Sequence, residues 1–108
     1  MIAQLRPEEL KRKLDAGEPV FLVDVRRYDE HEFCRLPNDV HIPLGELAER
    51  LEEVTPEPGV PIVVYCHHGV RSLTGAAILA QAGHASVASL SGGIEAWSVL
   101  VDSTVPRY

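Results

Sequence analysis

Two rhythms alternate along the chain. Residues 20–25 and 61–65 are nearly continuous apolar runs, and 86–90 is a third short strand-like stretch. Such runs suit strands covered on both faces, as in parallel sheets. Residues 2–5 add a short edge strand and 40–44 a brief extended piece. Helical spacing fills the gaps. Pro7-Glu8-Glu9-Leu10 opens a helix, because proline and acids suit a first turn. Leu10 and Leu14 share one face of it, Lys11, Arg12 and Lys13 are solvated, and Gly17 stops it. Residues 28–35 form a short helix, followed by turn chemistry at Pro37-Asn38-Asp39. Residues 44–54 read as one amphipathic helix, with Leu44, Leu47, Leu51 and Val54 on one side. A loop over 55–59 leads to the 61–65 strand. A helix over 70–82 ends near Gly83. After a tight turn at Ser91-Gly92-Gly93, a last helix spans 94–100 with Trp97 as its packing anchor. The tail, 102–108, reads as polar and extended. Strands alternating with helices predict an α/β fold: a parallel central sheet of about five strands with helices on both faces, in a single domain over 1–108.

One stretch of this pattern carries chemistry. Cys66 closes a strand and faces the start of the next helix, across His67, His68, Gly69 and Val70 to Arg71 and Ser72. Loop amides and the helix macrodipole both favour a thiolate there, and the thiolate is the nucleophile. Gly69 permits a tight turn. Arg71 adds a fixed cation with paired donors. Ser72 either donates to the sulfur or caps the helix. His67 and His68 read as pocket wall and solvent-facing loop. Adjacent residues cannot easily converge on a tetrahedral ion, so no metal is expected. Asp24 ends its strand at the sheet edge where ligands bind in α/β folds, with Arg26 its nearest partner in sequence. Cys34 reads as a packed residue, with a resolving role for Cys66 as the alternative.

Composition narrows the partners. The formal net charge of −6 argues against nucleic acid or an anionic membrane as the main partner. The 108 residues include two cysteines, too few for a disulfide framework. No apolar run approaches a membrane span, and the first residues show no signal-peptide pattern. A reducing cytoplasm is the expected setting.

Three stretches resemble the single-domain rhodaneses, a sulfurtransferase family. Leu22-Val23-Asp24-Val25-Arg26, through Glu32-Phe33 to His41-Ile42-Pro43-Leu44, is similar to the family's first signature. Residues 66–72 resemble its active-site loop, and Leu90-Ser91-Gly92-Gly93-Ile94-Glu95-Ala96-Trp97 its second signature. The tail, with Val101-Asp102 and Pro106-Arg107-Tyr108, is similar to the end of the rhodanese domain fused to carrier-activating adenylyltransferases. Two departures stand out. Cys34-Arg35-Leu36-Pro37-Asn38-Asp39 replaces the usual Gly-His and Ile-Pro-Gly-Ala elements. His67 stands where many thiosulfate-active members carry a cation.

The resemblance implies that Cys66 takes a sulfane sulfur from a donor, becomes a persulfide and passes the sulfur to a nucleophile, with no cofactor. The implied donors are thiosulfate or a protein persulfide, with a cysteine desulfurase upstream and a small sulfur-carrier protein as a partner. Residues 67–72 would hold the persulfide. Arg71 would orient a sulfonate or carboxylate, or brace the loop against Asp24. Two other readings stand beside this one. The first is a rhodanese-type binding module without turnover. The second is a cysteine phosphatase or arsenate reductase, whose loops generally place five residues between cysteine and arginine where this chain has four.

Overall fold

A computed structural model describes residues 2–108. Strands β1 (Ala3–Leu5), β2 (Phe21–Asp24), β3 (Val40–His41), β4 (Ile62–Tyr65) and β5 (Val87–Leu90) form one sheet in the order β1-β5-β4-β2-β3. Every pairing is parallel. The helices are α1 (Pro7–Asp15), α2 (Tyr28–Phe33), α3 (Leu44–Leu47), α4 (Arg71–Gln81) and α5 (Gly93–Leu100). This is the layered α/β architecture expected from the alternating pattern.

The strand register divides the apolar residues between two cores. Leu22 pairs with Val63 and Val23 with Val64 across β2 and β4. Because side chains alternate across a strand, Val23, Ile62 and Val64 enter one core with Leu47, Ala76 and Leu79. Leu22, Val63 and Tyr65 enter the other with Leu10, Ile94 and Trp97. Helices α3 and α4 therefore cover one face, and α1 and α5 the opposite face. Among the described residues no helix is long and apolar enough to cross a membrane.

One expectation needs correction. The 44–54 helix is broken: α3 stops at Leu47, and a separate 3-10 turn covers Leu51–Glu53. Arg50 leaves helical geometry at φ −124° and ψ 28°. Its guanidinium bonds Glu46 at 2.9 Å and Glu53 at 2.6 Å, so side chains hold the break in place. Leu47 and Val54 remain buried on either side of it. The tail is polar and irregular as expected, and it also makes specific contacts. Its backbone has no regular element, but Val101 and Val105 pack on the second core. Ser98 Oγ donates to the Val105 carbonyl at 2.6 Å, and Arg107 pairs with Glu95. These contacts bring Tyr108 back across the sheet edge where β2 and β4 end.

Candidate active site

Cys66 directly follows β4 and is 1% exposed. The chain then turns through 67–70 into α4. Gly69 makes that turn possible at φ +95°, with its Cα wedged so close to the end of β5 that a Cβ would lie 3.3 Å from the Leu90 carbonyl oxygen and 3.0 Å from the Gly92 nitrogen. The turn aims backbone donors at the sulfur. The Gly69 N–H lies 3.1 Å and the Ser72 N–H 3.3 Å from Cys66 Sγ. The Ser72 hydroxyl is 3.4 Å from the same atom and 2.7 Å from Ser89 Oγ. Ser72 is thus no helix cap, since α4 has no side-chain cap bond. Its hydroxyl links the sulfur to β5.

The carbonyls of the loop are held from the other side. Ile94 N–H donates to the Cys66 carbonyl at 2.9 Å and Glu95 N–H to the His67 carbonyl at 3.1 Å. These are first-turn amides of α5, which have no partner within their own helix. Gly93 allows the approach, because a Cβ there would strike both carbonyl groups. The Gly92–Gly93 turn is therefore a docking surface for the cysteine loop. With its carbonyls tied back, the loop presents N–H groups to Sγ, a nest suited to negative charge.

Arg71 is half-buried, and its partner is not Asp24. Nη1 and Nη2 donate to the two carboxylate oxygens of Glu30 at 2.7 and 3.0 Å. The Asp24 brace named as one reading of Arg71 is corrected accordingly. Asp24 is instead occupied by Arg26, through Nε and Nη2 at 2.8 Å each, with both side chains at 0% exposure. Arg26 also donates to the Cys34 carbonyl and, at 2.9 Å, to the Tyr108 hydroxyl. The Asp24–Arg26 pair supports the site from behind without touching Sγ. His68 and Val70 are exposed at the rim. His67 is partly buried, stacked on Tyr108 with ring centroids 3.8 Å apart and planes 8° from parallel. Burial, and then the neighbouring His68, pull the His67 imidazole below its ordinary pKa.

Glu30 and Tyr108 are the residues that sequence reasoning missed. Glu30 is 4% exposed. It accepts from the Arg27 amide at 3.1 Å and from the Tyr108 hydroxyl at 2.8 Å, besides Arg71. One sequence signal was available: an acid three residues after the N-cap of α2, Arg27, fits a capping box. Burial raises the Glu30 carboxyl, but the bonds from Arg71, the Arg27 amide and Tyr108 outweigh it and hold the group at about 2. A depressed carboxylate stabilises the fold above its unfolded pKa, and that stability is lost as pH falls through the folded value. Urea midpoints should therefore decline from the ordinary carboxyl value of 4.5 toward 2. The Glu30→Gln variant should show a shallower decline over that window, and an identical slope would contradict the assignment.

Cys34 lies in the core on the opposite face from Cys66, and both are free thiols. Asp24, His31 and His41 bring one potential metal-ligand atom each within 4.8 Å of one another. Those atoms are already committed, however. Asp24 Oδ2 meets His31 Nδ1 at 2.9 Å and Arg26 Nη2 at 2.8 Å, and His41 Nε2 meets the Arg26 carbonyl at 2.8 Å. The trio reads as a hydrogen-bonded buttress around Arg26.

The rhodanese-like domain model matches residues 6–100. The chain belongs to the rhodanese-like domain family. Among its relatives is the Mus musculus adenylyltransferase and sulfurtransferase MOCS3, 31% identical over 121 residues that cover 93% of this chain and 26% of that protein. The Coxiella burnetii thiosulfate sulfurtransferase GlpE is 35% identical over 96 residues, covering 89% of this chain and 84% of that one. A crystal structure of a rhodanese-like domain protein from Staphylococcus aureus superposes with a TM-score of 0.82 at 27% identity, covering 99% of both chains. The chain spans about half, or less, of the length of the first curated relatives it matches. Membership supports a sulfurtransferase-type role at the level of the family.

Proposed function

We propose that this chain transfers sulfane sulfur through a persulfide on Cys66. The observation that carries the reading is the convergence of the Gly69 and Ser72 N–H groups on Sγ, with the Ser72 hydroxyl 3.4 Å away. With thiosulfate, the Cys66 thiolate attacks the outer sulfur, the S–S bond of the donor breaks and sulfite leaves with its electron pair. With a protein persulfide, the terminal sulfur moves in the same way and a thiol departs. The negative charge then resides on the outer sulfur of Cys66–S–S⁻, where preorganised amides stabilise it. A nucleophilic acceptor removes that sulfur and regenerates the thiolate, so the cycle is ping-pong. The chain's own donors suffice for this, and no step calls for a cofactor. Sulfurtransferase names among the relatives fit a place in a sulfur relay, with a cysteine desulfurase as donor and a small sulfur-carrier protein as acceptor.

Intact-protein mass spectrometry tests the reading. Incubation with thiosulfate or a cysteine persulfide should add the mass of one sulfur, mapped to Cys66 and lost again on adding cyanide. No gain from any donor would favour a binding module. Phosphate release from aryl phosphates without sulfur transfer would favour a phosphatase.

A further inference from the structure

Arg71 is the only fixed cation in the 66–72 loop, and both of its terminal nitrogens are spent on Glu30. A sulfonate arriving at this loop meets a guanidinium whose fork is already filled by a carboxylate. Glu30 cannot swing away freely. It is buried in the first turn of α2, held by the Arg27 amide and by the Tyr108 hydroxyl. That hydroxyl is fixed in turn by Arg26 Nη1, and its ring by the stack on His67 and an edge contact with Phe33. The exposed rim adds Val70, Phe33 and Tyr108, at 72%, 56% and 42% exposure, and one further cation, Arg27, which bonds Asp29 at 3.1 Å and stands 3.6 Å from Glu30 Oε1. Like charge placed against an incoming ligand selects by repulsion as effectively as a new contact selects by attraction.

Building on the persulfide reading of Cys66, we propose that Glu30, positioned by Tyr108, is a specificity determinant. It neutralises Arg71 and so disfavours doubly charged small donors, leaving the site to organic persulfides, R–S–SH, whose protonated sulfane group carries no charge. For that donor class the balance is simple. The Cys66 thiolate attacks the outer sulfur, the donor S–S bond breaks, and the departing R–S⁻ takes the persulfide proton. No oxidant or reductant enters. Neither Glu30 nor Tyr108 touches the reacting atoms; both act through Arg71.

The test compares two donors on the full chain. In Glu30→Gln, kcat/KM for thiosulfate should rise about tenfold while that for cysteine persulfide changes less than threefold. Tyr108→Phe should shift the same ratio in the same direction by about threefold, and it carries the test if the first variant does not fold. A merely structural role would lower both donors together, and that result, or an unchanged ratio in the folded variants, overturns the proposal. A readout that needs no sulfur transfer separates this claim from the function itself. The rate of Cys66 alkylation by iodoacetate relative to iodoacetamide should rise severalfold in Glu30→Gln. If wild type accepts sulfur from neither donor yet this ratio rises, the persulfide reading fails and the electrostatic role of Glu30 stands. If the ratio does not move, the role of Glu30 fails whatever the donors do.

Discussion

Cys66→Ser is expected to abolish persulfide formation and to lower sulfur transfer by about a thousandfold or more, the scale seen when a covalent nucleophile is removed. The substitution is sterically mild, yet a serine hydroxyl neither ionises near neutral pH nor forms an S–S bond. The Gly69 and Ser72 amides would remain in place with nothing to stabilise. Cys34→Ser provides the contrast. Cys34 sits in the core on the far side of the sheet, with its sulfur 3.9 Å from Arg26 Nη1. Its substitution should cost some packing while leaving the mass gain at Cys66 intact. Mass spectrometry and a thiosulfate-to-cyanide assay on both variants decide the matter. Equal loss from the two would point to a two-cysteine redox cycle instead.

Asp24→Ala should be the most destabilising single change at the site, by about 3–5 kcal/mol, the usual cost of stranding one member of a buried ion pair. Arg26 would lose both of its charge-assisted bonds to Asp24. It would remain fully buried, left with carbonyls, the Cys34 sulfur, the Tyr108 hydroxyl and the faces of the Tyr65 and Tyr108 rings, and with no carboxylate bonded to it. For a domain of this size the melting temperature should drop by about 10–20 °C. Replacing Arg26 with methionine in the same chain should recover part of the loss, because an unpaired charge costs more than an apolar substitute. A drop below about 1 kcal/mol in Asp24→Ala would show that the pair is solvated in solution.

The sheet and the cysteine loop were legible because their signals are local. An apolar run such as 61–65 announces a strand buried on both faces, and Gly69 marks a backbone that has to turn. The helix break at Arg50 was not legible. Periodicity places Leu47 and Val54 on one side whether or not the backbone between them stays helical. Glu30 and Tyr108 were hidden for another reason. Both take their meaning from partners far away in the chain, Arg71 for one and His67 and Arg26 for the other. An acid in a short polar helix is ordinarily solvated, so its burial appears only once the tail is seen folded over it. Ser72 was ambiguous until β5 placed Ser89 beside its hydroxyl.

The loop around Cys66 is fastened to two layers at once. Its donors to sulfur come from the turn into α4 and from the first turn of that helix, which packs in one core, while its carbonyls hang on the first amides of α5, which packs in the other. The thiol therefore doubles as a gauge of alignment. A slip of a few tenths of an ångström between the two sides would spread the amides from the sulfur while leaving each core intact, so reactivity should fade under mild perturbation well before the molecule comes apart.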